Sequence, residues 1–103
     1  MYKLNYFVPY EAKERTKEAL FNIGAGSYKN YDRCSFESEG MGQFRPLSGA
    51  DPYIGKHNEI EYVKEYKVEM ICEESLIKEA IGVLKDTHPY EEVAYEVIKL
   101  EEF

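Results

Sequence analysis

Tyr2, Leu4, Tyr6 and Val8 alternate with Lys3, Asn5 and Phe7, a period of two that predicts a half-buried strand ending at Pro9. From Glu11 the period lengthens. Ala12, Thr16, Ala19, Leu20 and Ile23 recur at helical spacing, with Lys13, Glu14, Arg15, Lys17 and Glu18 on the polar face. Gly24 and Gly26 end this helix, because glycine takes the left-handed C-terminal cap conformation without steric cost. Tyr31–Ser38, with Cys34 and Phe36 on one side, predicts a second strand. Gly40–Asn58 then reads as a long loop, holding Gly40, Gly42, Gly49 and Gly55 with Pro46 and Pro52. Apolar residues interrupt those glycines and mark a structured excursion rather than a linker.

The strongest periodicity follows. Ile60, Tyr62, Tyr66, Val68, Met70 and Cys72 share one parity, broken by Lys64; Glu59, Glu61, Glu65, Lys67 and Glu69 fill the other, interrupted by Val63 and Ile71. This predicts a long antiparallel strand with one apolar and one charged face. Glu73–Glu74–Ser75 opens a second helix, with Ser75 as its N-cap and Leu76, Ile77, Ala80, Ile81 and Leu84 as its buried stripe. Asp86–Thr87–His88–Pro89 stops it, and Val93–Leu100 supplies the last strand. Strand, helix, strand, long loop, strand, helix, strand is two split βαβ halves. The order predicts an α+β, ferredoxin-like βαββαβ sandwich, one antiparallel sheet with two helices on a single face. Lys17–Glu18–Ala19–Leu20 and Lys78–Glu79–Ala80–Ile81 sit at matching places in the two halves.

At 103 residues the chain makes a single domain spanning 1–103. With 13 basic and 20 acidic residues, the formal charge of −7 argues against a nucleic acid partner. No apolar run reaches membrane-spanning length, and Tyr2–Val8 is too short for a signal peptide core. Cys34 and Cys72, isolated and without CxxC spacing, read as reduced buried thiols of a cytoplasmic protein. The third strand exceeds ordinary strand length, and its charged parity still carries Val63 and Ile71 on a sheet that also holds several tyrosines. Both features predict a homo-oligomer whose edge strands pair between subunits; an overlong hairpin on a monomer is the alternative.

His88–Pro89–Tyr90–Glu91–Glu92 places an imidazole, a phenol and two carboxylates within five residues. Such a turn can hydrogen-bond a loop in place, bind a divalent metal through His88 and Glu91, or move a proton. Gly24–Ala25–Gly26 follows a helix instead of opening one, so it reads as a cap and not as a phosphate cradle. Arg45 pairs with a carboxylate or grips an anionic ligand. Topology puts the Gly24–Asn30 loop at one end of the sheet, and the long loop, the Pro9–Tyr10 turn and the His88 turn at the other. A ligand pocket at that second end would be built from Tyr10, Arg45, His57, His88, Tyr90 and Glu91.

Gly24–Ala25–Gly26, Asn30–Tyr31–Asp32, Cys34–Ser35–Phe36, Phe44–Arg45–Pro46, Gly49–Ala50, Ile54–Gly55 and His88–Pro89–Tyr90–Glu91–Glu92–Val93–Ala94–Tyr95, with Gly42, together resemble the NIF-three-like family. The likeness is to the PII/CutA-like domain inserted in its longer members, which also occurs free-standing. Lys29 and Asn58 depart from it, standing where that family usually has glycine. The resemblance implies a ferredoxin-like subunit and homotrimers. It also implies that the metal-binding, GTP-cyclohydrolase-type chemistry of the larger proteins belongs to a flanking domain, so this chain is not an enzyme. The reading that results is a binding or regulatory homo-oligomer for a small molecule, a metal or another protein. A small metal-dependent hydrolase using His88 with Glu91 or Glu92, and a purely structural domain, are the competing readings.

Overall fold

The computed structural model describes Met1–Phe103. Its elements are β1 (Tyr2–Pro9), α1 (Tyr10–Asn22), β2 (Phe36–Phe44), β3 (Glu61–Cys72), α2 (Ile77–Thr87) and β4 (Tyr95–Lys99). All strand pairs are antiparallel, in the order β2-β3-β1-β4. This is the α+β sandwich that the periodicity predicts.

The registers sort the side chains into two faces. Leu4, Tyr6 and Val8 of β1 stand opposite Met70, Val68 and Tyr66 of β3, on the side the helices cover. Ala12, Thr16 and Leu20 of α1 and Ile77, Ala80 and Leu84 of α2 close that core. Tyr6 is fully buried, and its hydroxyl meets Thr16 Oγ1 at 2.8 Å; Thr16 in turn donates to Lys13 O. The opposite face carries ion pairs, Lys3 with Glu69 at 2.6 Å and Lys67 with Glu96 at 4.0 Å. Several tyrosines lie on the sheet as expected, and Tyr2, Tyr6, Tyr62, Tyr66 and Tyr95 all share the helix-side parity.

The second strand lies further along than the sequence pattern indicates. Tyr28–Tyr31 folds into a tight turn with reciprocal backbone hydrogen bonds of 2.8 and 2.9 Å, and pairing with β3 begins only at Phe36. It then runs through Gly40, Met41 and Gly42 to Phe44, residues whose glycines read as loop. The long partner strand supplies backbone hydrogen bonds that compensate for the low strand preference of glycine. The loop is therefore residues 45–60, closed at its neck by Asn58 N–H donating to Pro46 O at 2.6 Å. β4 is shorter than expected, and α2 begins after Leu76 with no side-chain cap, so Ser75 is not its N-cap. Cys72 is buried as expected, whereas Cys34 is partly exposed.

α1 ends in a Schellman arrangement: Gly24 N–H donates to Phe21 O and Ala25 N–H to Leu20 O, with Gly24 at φ +106°. Gly26 N–H then donates to Ile71 O, which fixes this loop at the end of the sheet opposite the His88 turn. Lys29 and Asn58, the two departures from the glycine pattern, adopt φ +52° and +65°. Asparagine tolerates this region and lysine pays a steric cost there. Lys29→Gly is expected to stabilise the fold by about 0.5 kcal/mol, the relief of strain exceeding the added unfolded-state entropy. Urea unfolding would measure this, and a loss of stability would refute the strain argument.

β3 outruns the sheet. β1 pairs with it only from Glu65 to Cys72, and its residues 61–64 pair with β2 alone. The resulting two-stranded arm makes the molecule 47 Å long and 25 by 24 Å across.

Candidate functional site

The arm, the 45–60 loop and the turn after His88 enclose a cleft of about 490 Å³. Its place is set by strand register. Phe44 and Glu65 both project from the face away from the helices, and the loop folds back beside them. A β carbon on Gly42 would collide with the Glu65 carboxyl, so the glycine that weakens β2 as a strand gives Glu65 room to lie across it.

Three aromatic rings line the cleft. Tyr90 lies 6.3 Å from Phe44 and 6.1 Å from Tyr53, both tilted. The Tyr90 hydroxyl is buried beside the Glu65 carboxyl, without a well-aligned hydrogen bond. Burial, together with the nearby Glu65 carboxylate, pushes this phenol well above its ordinary range. Burial likewise raises the Glu65 carboxyl, with Tyr90 partly opposing the shift. Arg45 also borders the cleft and makes no ion pair. Glu91 accepts a hydrogen bond from Asp51 N–H at 2.8 Å, tying the loop to the turn.

Of the six pocket residues predicted from sequence, Arg45, Tyr90 and Glu91 come together here. His88 lies beneath Tyr90, its ring 4.8 Å from the phenol ring. Both of its nitrogens are engaged: Nε2 donates to Phe7 O at 2.7 Å, and Nδ1 accepts from Tyr90 N–H at 3.1 Å. Burial holds its pKa below the usual histidine value, and Arg15 adds to the effect. With no free lone pair, His88 does not reach a metal alongside Glu91, and no group of three or more His, Cys, Asp or Glu side chains converges anywhere in the chain. His57 braces the loop from outside, its Nε2 donating to Ala50 O at 2.6 Å. Tyr10 is 67% exposed and packs against Tyr66 on the helix side, away from the cleft. Sequence reading missed Phe44, Tyr53 and Glu65. Phe44 and Tyr53 lay in the stretch recognised as structured, but nothing local distinguishes Glu65 from the other glutamates of β3.

The chain has an α+β fold that matches CutA and PII-like proteins. CutA1 from Pyrococcus horikoshii superposes with a TM-score of 0.70 at 20% identity, over 100% of this chain and 86% of that one. No protein-family model matches the chain. Its sequence relatives lie among the NIF3-related proteins. It is 44% identical over 100 residues to the GTP cyclohydrolase 1 type 2 homolog of Bacillus subtilis, covering 97% of this chain and 27% of the relative. The crystal structure of a Bacillus cereus protein related to NIF3 superposes with a TM-score of 0.85 at 39% identity, over 98% of this chain and 26% of that one. The chain is thus homologous to one segment of these proteins and spans about a quarter of their length. No helix is long and apolar enough to cross a membrane.

Proposed function

We propose that the chain is a non-catalytic binding module that works in the cytoplasm as a homo-oligomer of three copies. The observation that supports this reading is the β2–β3 arm. Met41, Tyr62 and Ile60 stand 68%, 61% and 53% exposed on and beside it, and β2 is an edge strand, paired only to β3. Projecting apolar side chains beside an unpaired edge invite a partner strand. An arm reaching onto a different surface of the next copy makes a heterologous contact, and three is the smallest ring that closes one. The sequence resemblance to the family's inserted domain implies the same number. The two free cysteines support a reducing compartment. The hydrolase reading draws no support from His88, whose nitrogens hold the backbone.

Light scattering on the purified chain tests the assembly. The expected mass is three times the 12.1 kDa chain. Met41→Glu combined with Tyr62→Glu is expected to reduce it to one chain, with far-ultraviolet circular dichroism unchanged. A monomeric wild type, or a folded double variant that stays trimeric, would overturn the proposed assembly through the arm.

A further inference from the structure

The geometry points to a site for a small aromatic carboxylic acid in the cleft between the 45–60 loop and the turn after His88. The inference rests on the reading of the chain as a binding module and names the chemistry that the module takes.

Two features of the cleft select this class. The first is its walls. Phe44, Tyr53 and Tyr90 present rings from three separate segments, and Tyr53 is 55% exposed, leaving surface on which a flat ring can stack. A volume of about 490 Å³ suits a small molecule.

The second is charge. Arg45 borders the cleft with its guanidinium unpaired in a chain of net charge −7. Its planar fork matches a carboxylate with two parallel hydrogen bonds. Glu65, Glu91 and Glu92 also line the cleft, so a doubly charged phosphate would meet three carboxyl groups with one cation to hold it. A single negative charge suits that balance better. Glu91 is already turned onto Asp51 N–H, and burial raises the Glu65 carboxyl above its ordinary value.

Calorimetric titration of the full chain with indole-3-acetate, indole-3-acetamide and adenosine monophosphate tests the inference, with light scattering on the same samples. Indole-3-acetate is expected to bind saturably, the neutral amide at least tenfold more weakly, and Arg45→Met to lose at least tenfold in affinity for the acid. Arg45 is exposed and in no ion pair, so the variant should fold, and an unchanged thermal midpoint would verify that. Tyr53→Ala is expected to weaken the acid and the amide alike, since stacking does not depend on charge. No saturable binding up to millimolar concentration, equal affinity of Arg45→Met, or tighter binding of the phosphate each overturns the assignment. A trimeric mass without binding would remove this ligand class and leave the assembly standing; binding by a monomer would do the reverse.

Discussion

His88→Ala is expected to lower the free energy of unfolding by about 2–3 kcal/mol and to make the remaining stability less sensitive to mild acid. The side chain is 6% exposed and joins three segments: it ends α2, donates to Phe7 O in β1, and accepts from Tyr90 N–H in the turn. Truncation removes both hydrogen bonds and leaves their backbone partners in a poorly hydrated place, where each unmet group costs about 1–3 kcal/mol. In a domain of this size that corresponds to a fall in the thermal midpoint of roughly 10–15 °C. The pH dependence has a definite sign. Burial sets the folded pKa of His88 below the ordinary 6.5, so the unfolded chain takes up the proton first. Stability from the neutral ring is complete above that ordinary value and declines as pH falls through the folded one. Glu65, whose carboxyl is raised, acts in the opposite direction and loses its contribution as pH rises through its folded value. The difference between wild type and His88→Ala isolates the histidine. It should be larger near about pH 8 than near about pH 5 in urea unfolding. A difference that does not change with pH would show that the ring is not held neutral.

Gly26→Ala is expected to cost a similar amount, about 2–3 kcal/mol, through strain alone. Gly26 has φ +78°, and an added β carbon would stand 2.8 Å from Cys34 O and 3.0 Å from the Phe21 ring. The nearest obstacle is backbone, and it cannot swing aside as a side-chain tip would. Both backbone groups of Gly26 are also in use: N–H donates to Ile71 O, and its carbonyl accepts from Cys34 N–H, each at 2.8 Å. Relieving the clash therefore means breaking the link between the α1–β2 connection and the end of β3. The fall in thermal midpoint should match that of His88→Ala, although the site lies at the other end of the sheet. Binding at the cleft should be unaffected in the folded fraction. A Gly26→Ala protein as stable as wild type would show that this loop can re-form around a side chain.

Of the six elements, β1, α1, β3, α2 and β4 were legible along the chain to within a few residues. Their apolar residues repeat at the period of the element, and burial on one face imposes that pattern locally. The alternation from Tyr2 to Val8 and the stripe through Ile77, Ala80 and Leu84 needed no knowledge of neighbours. β2 was not legible in the same way. Its burial is slight, glycines occupy Gly40 and Gly42, and its limits are set by how far β3 extends beside it. The cleft was half legible. Topology placed Arg45, Tyr90 and Glu91 at one end of the sheet, but it could not separate a ligand-facing group from His88, whose lone pair is taken by Tyr90 N–H.

The residues by themselves determined that two similar halves build one antiparallel sheet under two helices, because periodicity and helix-ending signals are properties of short stretches. Only the tertiary structure decided that Glu65 lies over Gly42, that Phe44, Tyr53 and Tyr90 share a wall, and that β3 runs past the sheet into an exposed arm. Those facts depend on register and on loop closure between segments far apart in the chain, and no local pattern of polarity records either.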